Sequence, residues 1–273
     1  MEYLIALDLE GVHGVKGEPL KVSPYAIGVG TGEYEVAKAS AVQEVNRAVK
    51  ALFDGGATRV LVWDNHGGRD NIDFSLVDPR AEKLIYDRSK PRMTFLSEYN
   101  FKGIVFIGYH AKAGSVNGSL SHTYNGMEIQ YVKVNGKQIG EFDIDSYIAG
   151  EYGVPPIFAA SDDVCVGQVR EHNPSTVTVV TKIGKGKRNA EFLDEATVLQ
   201  QIEEGVGEAM KKEIPFTKLT FPCQFEVRYS KIEYAEWIME SLGPKFEGLH
   251  YGEDGNTLCL TVDCIDALRG CFF

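Results

Sequence analysis

Residues 3–11 read YLIALDLEG, an apolar run that ends in two carboxylates and a glycine. A short, continuous apolar run of this kind is typical of a strand that is covered on both faces, as in a parallel sheet. Residues 33–56 follow with apolar or small side chains at helical spacing and a Gly-Gly stop, and residues 58–64, TRVLVWD, form a second apolar run. This order of strand, loop, helix and strand predicts parallel strands joined by a right-handed crossover.

The pattern continues beyond this unit. Asn135-Gly136, between two apolar segments, predicts a β-hairpin. Further predictions are a strand at 103–110, helices at 145–152 and 190–212, strands at 154–163 and 175–182, and a last short helix near the C-terminus. Together they predict an α/β fold with a three-layer α/β/α core, a mostly parallel central sheet and a small C-terminal α+β element. We assign residues 1–190 to a metal-binding catalytic core and residues 191–273 to the C-terminal element, packed on that core.

Composition narrows the class of protein. The chain has 273 residues, 44% of them hydrophobic, which is enough for one large core with an appendage. A formal net charge of −11 opposes binding to nucleic acid. The five cysteines are odd in number and lack CxxC spacing, which indicates reduced thiols in a cytoplasmic protein. Without a basic leader or an apolar stretch of about 18 residues, neither secretion nor membrane insertion is expected.

Polar side chains follow three of the predicted strands at the points where those strands end. Asp8 and Glu10 are one residue apart, so on a strand both would point to the same face. Two carboxylates that close repel each other unless a cation or a proton lies between them. His66 precedes Gly67-Gly68, and His110 ends the most apolar strand of the chain. Because parallel strands end at the same edge of a sheet, we expect these side chains to share one cleft.

Two weaker candidates complete the set. Taken alone, Glu141 reads as part of a solvated turn after the hairpin, and His122, in GSLSHTYNG, as an ordinary loop histidine. Combined with the strand-end residues, Glu141 gives a set of two imidazoles and three carboxylates, a mixture that holds one or two zinc ions without sulfur. The predicted ligands are Asp8, Glu10, His66, His110 and Glu141. His122 then remains available to handle protons.

The motifs LDLEG, WDNH, GYHAKAG, SLSH and IGE occur in that order between residues 7 and 141. They resemble the zinc-dependent D-aminopeptidase family, peptidase family M55, and SDD at residues 161–163 resembles a later part of the same pattern. The resemblance implies that the five predicted ligands hold two zinc ions per subunit, with Asp8 as the bridge, and that His122 corresponds to the catalytic histidine. It also implies a homo-oligomer, a ring-shaped decamer whose active sites face an inner channel.

The predicted reaction is hydrolysis of short peptides or amino-acid amides with a free N-terminus, by a water activated between two zinc ions. His122 would donate to the oxyanion or protonate the departing amine. A metal, Asp162 or Asp163 would hold the substrate's α-amine. The resemblance implies a preference for D-residues, which the walls of the pocket would set. Substrate choice could lie in the loop at residues 12–31 or in the C-terminal region, and the aromatic end at residues 271–273 is a candidate subunit contact.

Two alternatives remain open. A metal-dependent phosphoesterase would also use acids and histidines from strand ends, and it would add basic residues to clamp the phosphoryl group. The candidates for that clamp are Lys112, Lys185, Lys187 and Arg188. The second alternative is a non-catalytic metal- or ligand-binding subunit. The complete ligand set argues against it, because a degenerate site is free to lose ligands.

Overall fold

The structure is a computed structural model, and it describes residues 1–17, 32–67, 71–87 and 89–266. In chain order the strands are β1 (Glu2–Leu7), β2 (Arg59–Asp64), β3 (Glu82–Lys83), β4 (Phe101–Ile107), β5 (Ile129–Val134), β6 (Lys137–Ile139), β7 (Pro156–Asp162), β8 (Val177–Gly186), β9 (Asn189–Phe192), β10 (Cys223–Tyr229), β11 (His250–Tyr251) and β12 (Thr257–Val262). The helices are α1 (Gly32–Asp54), α2 (Glu141–Glu151), α3 (Asp163–His172), α4 (Glu195–Ala209) and α5 (Ile232–Leu242). Within the described ranges, no helix is long and apolar enough to cross a membrane.

The central sheet has seven strands in the order β3-β2-β1-β4-β7-β8-β9. All neighbouring pairs are parallel except β8 and β9, which are antiparallel. From β1 the chain builds outward through β2 and β3 on one side, and from β4 it builds outward on the other. The direction of winding therefore changes between β1 and β4, where open α/β sheets form a crevice at the carboxyl ends of their strands.

Both faces of the central sheet are covered, as the continuous apolar strands predict. On one face, Ile5 and Leu7 of β1 pack with buried residues of α1 and α4. On the other face, Leu4 and Ala6 pack with residues of α2, α3 and the second sheet. This alternation along β1 is the two-residue period of a strand buried on both sides. The predicted three-layer α/β/α core with a mostly parallel sheet is confirmed.

A second, antiparallel sheet has the order β11-β12-β10-β5-β6. Its β5–β6 hairpin turns at Asn135-Gly136, where both residues have positive φ (50° and 77°), as the sequence predicted. The hairpin pairs with β10, so this sheet takes strands from both sides of residue 190. The division of the chain into units of 1–190 and 191–273 stays a prediction.

Two predicted helices begin at other residues than expected, and one further helix was missed. The helix expected at 190–212 begins only at Glu195, because Asp194 caps it by accepting from the Thr197 N–H at 2.9 Å, and residues 189–192 form edge strand β9. Helix α2 begins at Glu141 and not at residue 145, since Asp143 accepts from the Gly140 N–H and starts the helix earlier. Helix α3 was not predicted. The expected last short helix and residues 271–273 lie outside the described residues.

Candidate metal centre

Two glycines bring the ends of β1 and β4 together. The Gly11 N–H donates to the Gly108 carbonyl at 2.7 Å. A Cβ atom on Gly11 would lie 1.9 Å from the Tyr109 carbonyl oxygen, and one on Gly108, where φ is +73°, would lie 2.1 Å from the Asp8 carbonyl oxygen. Only glycine permits so close an approach of two backbones. This contact places the segment that carries Asp8 beside His110.

The five predicted ligands converge at this crevice. His66 Nδ1 lies 3.0 Å from Asp8 Oδ1 and 3.1 Å from Glu10 Oε2. His110 Nε2 lies 3.5 Å from Asp8 Oδ2 and 3.1 Å from Glu141 Oε1. The two oxygens of Asp8 therefore face two different groups of side chains, one with His66 and Glu10 and one with His110 and Glu141.

His122 lies against the second of these groups. Its ring stacks on that of His110, with centroids 3.9 Å apart and planes at 13°, and its Nε2 lies 3.9 Å from Glu141 Oε1. His110 Nδ1 lies 3.1 Å from the Ala111 carbonyl oxygen, and His122 Nδ1 lies 2.8 Å from that of Leu120. A carbonyl can only accept, so Nδ1 carries the proton in both rings and Nε2 is left as the coordinating or proton-accepting atom when the ring is neutral.

The charges of the group around Asp8 shift the pKa values of its members. Burial and the nearby Glu10 carboxylate raise the pKa of Asp8 to about 7. Burial would also raise the pKa of Glu10, but attraction to the His66 imidazole outweighs it and leaves that pKa well below its usual range. Burial opposes protonation of His66, yet Glu10 and Asp8 hold its pKa well above the usual value. The protonated imidazole of His66 thus supplies the positive charge between the carboxylates of Asp8 and Glu10.

The second group shows the same balance. Burial opposes protonation of His110, but Glu141 and Asp8 raise its pKa to about 10. Burial would raise the pKa of Glu141, and the His110 charge lowers it to about 2. Burial and the adjacent His110 lower the pKa of His122. Buried nitrogen and oxygen donors with no sulfur, whose charges are otherwise balanced by protons, fit the ligand set of a divalent zinc ion.

Two overlapping sets of donor atoms are compact enough to hold an ion. In each set the ligand atoms all lie within 4.8 Å of one another. One set is Asp8, Glu10 and His110, and the other is His110, His122 and Glu141. Geometry alone therefore leaves His122 as a possible ligand as well as a proton carrier, and an experiment must separate the two roles.

A buried network that the sequence did not predict supports the centre. Arg92 forms two bonds to Asp145, at 2.5 and 2.7 Å, and the Tyr109 hydroxyl donates to the same carboxylate at 2.7 Å. Asn65 Nδ2 donates to the Tyr109 hydroxyl at 3.2 Å. Asn65 and Tyr109 immediately precede His66 and His110, and Asp145 lies one turn beyond Glu141. One carboxylate thus ties together three elements that carry predicted ligands.

The other candidate residues have structural partners. Asp162 caps α3 by accepting from the N–H groups of Val164 and Cys165, both at 2.9 Å, and Asp163 accepts from Gly184 N–H at 2.7 Å. Of the proposed phosphate clamp, Lys112 Nζ donates to the Gln138 carbonyl at 3.2 Å, and Lys185 pairs with Glu191 at 3.1 Å. Residues 18–31 of the 12–31 loop, which were predicted to influence substrate choice, lie outside the described residues.

Buried carboxylates and imidazoles in the crevice of a mostly parallel sheet are typical of an α/β metal-dependent enzyme. The family model Peptidase_M55, described as D-aminopeptidase, matches residues 1–247, and the chain belongs to that family. The predicted resemblance is thereby confirmed. Family membership places the protein among the aminopeptidases, hydrolases that act on peptide bonds.

Two comparisons, one of sequence and one of structure, agree with this assignment. The D-aminopeptidase of Bacillus subtilis (strain 168) is 26% identical over 239 residues, which cover 87% of this chain and 84% of the relative. The solved structure of the Zn-dependent D-aminopeptidase DppA from Bacillus subtilis, a self-compartmentalizing protease, superposes with a TM-score of 0.85 at 22% identity. That match covers 97% of this chain and 93% of the other, and at this identity it shows a shared fold.

Proposed function

We propose that the protein is a zinc-dependent aminopeptidase that removes the N-terminal residue from short peptides or amino-acid amides. Two zinc ions per subunit would be held by Asp8, Glu10, His66, His110 and Glu141. The observation that carries the proposal is the position of the Asp8 carboxylate between two imidazoles, with Oδ1 3.0 Å from His66 Nδ1 and Oδ2 3.5 Å from His110 Nε2. The zinc dependence of the Bacillus subtilis enzyme supports the choice of metal.

When bound, the zinc ions would lower the pKa of a water molecule and polarise the scissile carbonyl group. The residues around them supply the remaining requirements. His122 holds its Nδ1 proton on the Leu120 carbonyl, so Nε2 is free to take up a proton and to pass it to the departing amine. Burial and the adjacent His110 lower the pKa of His122, which favours the neutral ring that can accept that proton.

We further propose a preference for D-residues at the substrate's N-terminus. Metal chemistry does not distinguish enantiomers, so the preference would come from the walls of the pocket. Support comes from the family description and from the Bacillus subtilis relative, which is a D-aminopeptidase. An acidic protein, with a net charge of −11, also suits a small substrate with a cationic amine.

The direct test compares kcat/KM for D-alanine and L-alanine p-nitroanilide with zinc-loaded protein, chelated protein and the His110→Ala variant. We expect cleavage of the D-compound by the zinc-loaded protein and none by the other two. A clear L-preference would overturn the stereochemical proposal and retain the aminopeptidase. Cleavage of neither compound would contradict the proposed substrate class, and phosphoester substrates would then test the alternative.

We also propose that the chain forms a homo-oligomer, specifically a decamer. We place this assembly in the cytoplasm. The self-compartmentalizing Bacillus subtilis enzyme of the same fold supports the assembly. Free thiols at Cys165, Cys223, Cys259 and Cys264 support a reducing compartment. Light scattering should return a multiple of the 30.2 kDa subunit, and a monomer would contradict the assembly.

A further inference from the structure

The loop that follows Glu10 is held by a lysine from a distant strand. Lys182 is fully buried, and its ammonium group donates to three backbone carbonyls, those of Glu10 at 2.5 Å, Val12 at 2.9 Å and Val15 at 2.6 Å. Three acceptors around one nitrogen match the charged form of lysine, whose three N–H bonds all donate. A buried ammonium is costly unless it is bonded in this way.

Other side chains hold the neighbouring peptides of the same loop, which we call the 10–16 loop. Thr181, adjacent to Lys182, donates its hydroxyl to the Gly11 carbonyl at 2.7 Å. Two buried acids of α1 accept from the loop's amides, Glu44 from His13 N–H at 2.7 Å and Glu33 from Lys16 N–H at 2.8 Å. The loop is therefore fixed by the protein itself on both its carbonyl and its amide side.

The position of Lys182 in the sheet explains why this matters for the metal centre. Lys182 belongs to β8, which is separated from β1 by β4 and β7. Its side chain thus links the far side of the sheet to the segment that leaves β1, and one of its three bonds is to the backbone of Glu10. The carboxylate of Glu10 lies 3.1 Å from His66 Nδ1, so moving the Glu10 backbone would move that carboxylate out of the group.

We infer that Lys182 is a positioning residue for the metal centre: by fixing the Glu10 backbone, it sets how tightly the group of Asp8, Glu10 and His66 binds a divalent cation. The inference rests on the proposed function, in which this group holds one of two zinc ions. Residues that orient ligands from outside the coordination shell change metal affinity by about 10- to 100-fold when replaced. The group of Asp8, His110 and Glu141 has no bond to Lys182 in the described structure and should keep its ion.

The test measures zinc affinity and stoichiometry by competition with a chelating dye. Lys182→Met keeps the length of the side chain and removes its donors. Ile202→Ala, a buried position on α4 with no bond to the 10–16 loop, serves as a control for loss of stability, because such truncations cost about 2–5 kcal/mol. We expect Lys182→Met to bind one zinc ion as the parent does and the second at least 10-fold more weakly, while Ile202→Ala binds both normally.

Equal zinc binding by Lys182→Met and Ile202→Ala would overturn the inference. An unmodified protein that binds no zinc would overturn the proposed function together with it, so the two failures are distinct. Where Lys182→Met gives no folded protein, Thr181→Val replaces it, since that change withdraws only the donor to Gly11, next to Glu10. Thr181→Val should lower the affinity for the same zinc ion by a smaller factor than Lys182→Met. An unchanged zinc affinity in Thr181→Val would count against the inference.

Discussion

His122 can act either as a further ligand of one ion or as a proton carrier, and replacing it separates the two roles. We expect His122→Ala to retain the zinc content of the parent, because Asp8, Glu141 and His110 still face one another. Turnover should fall by roughly 100-fold or more, the usual scale for loss of an acid, base or oxyanion donor. Zinc content by plasma emission and kcat on one substrate are the measurements. A parallel loss of zinc and activity would make His122 a ligand.

Glu44 predicts a dependence of stability on pH. Burial raises the pKa of this carboxyl to about 8, despite its bond to the His13 N–H and the nearby charge of Lys182. A raised folded-state pKa means that the folded protein binds the proton more tightly than the unfolded chain. The contribution of protonated Glu44 to the stability of the fold is therefore complete below the pKa of the unfolded chain, about 4.3. It is lost as the pH rises towards 8.

Glu44→Gln stays neutral at every pH and can still accept from His13. We expect its melting temperature to match that of the parent near pH 5 and to exceed it at pH 8, since each tenfold change in proton affinity is worth about 1.4 kcal/mol. Calorimetry across this range makes the comparison, with the exposed Glu213→Gln as a control. A difference that stays constant with pH would show that Glu44 is already ionised in the fold.

Ligands could be predicted from the sequence where a strand ends in a polar residue, because parallel strands end at the same edge of the sheet and bring those residues together. Asp8, His66 and His110 follow this rule. Glu141 does not, since it begins a helix, and only the mixture of residue types pointed to it. Lys182 was missed because it ends the strand predicted at 175–182, and a lysine in such a position usually reaches solvent. Its burial depends on a loop that follows β1, far away in the chain.

The junction of β1 and β4 depends on glycine at two positions. In Gly11→Ala the new methyl group would overlap the Tyr109 carbonyl oxygen, which is backbone and cannot rotate away. We expect a loss of about 3 kcal/mol or more in the free energy of unfolding, with loss of zinc binding, because the strands must separate. Denaturant unfolding monitored by fluorescence gives the value.

Gly167→Ala is the matched control for that change. Gly167 lies within α3, and a Cβ atom there would have no heavy atom within 4 Å. Alanine should stabilise the helix by about 0.5–1 kcal/mol. If Gly11→Ala and Gly167→Ala unfolded at the same denaturant concentration, the close contact between the two strand ends would not be important for stability.

Elements with a strong local signal were predicted well, and those defined by a partner were not. The hairpin at Asn135-Gly136 is encoded by its turn. Edge strand β9, in contrast, has a helix-compatible sequence, and antiparallel pairing with β8 decides its conformation. Helix α3 was overlooked because its cap, Asp162, reads as the end of the preceding strand. Pairing of the hairpin with β10, about ninety residues later in the chain, has no local signature.

At the scale of the whole molecule, the core and not the metal should provide most of the stability. Two extensive buried clusters flank the central sheet, and His66 and His110 pair with the carboxylates of the centre. We expect chelated protein to keep its far-ultraviolet circular dichroism and to unfold cooperatively. A site at 100 times its Kd adds about 2.7 kcal/mol, so the melting temperature should fall only moderately. Loss of secondary structure on chelation would mean that the metal is structural.

The proposed activity requires that the five predicted ligands hold two zinc ions. Anomalous diffraction from zinc-loaded crystals, measured above and below the zinc absorption edge, locates the ions without assuming any ligand. We expect two peaks, one on each side of the Asp8 carboxylate, the first in contact with Glu10 and His66 and the second with His110 and Glu141. A single peak, or peaks away from Asp8, would contradict the two-zinc centre.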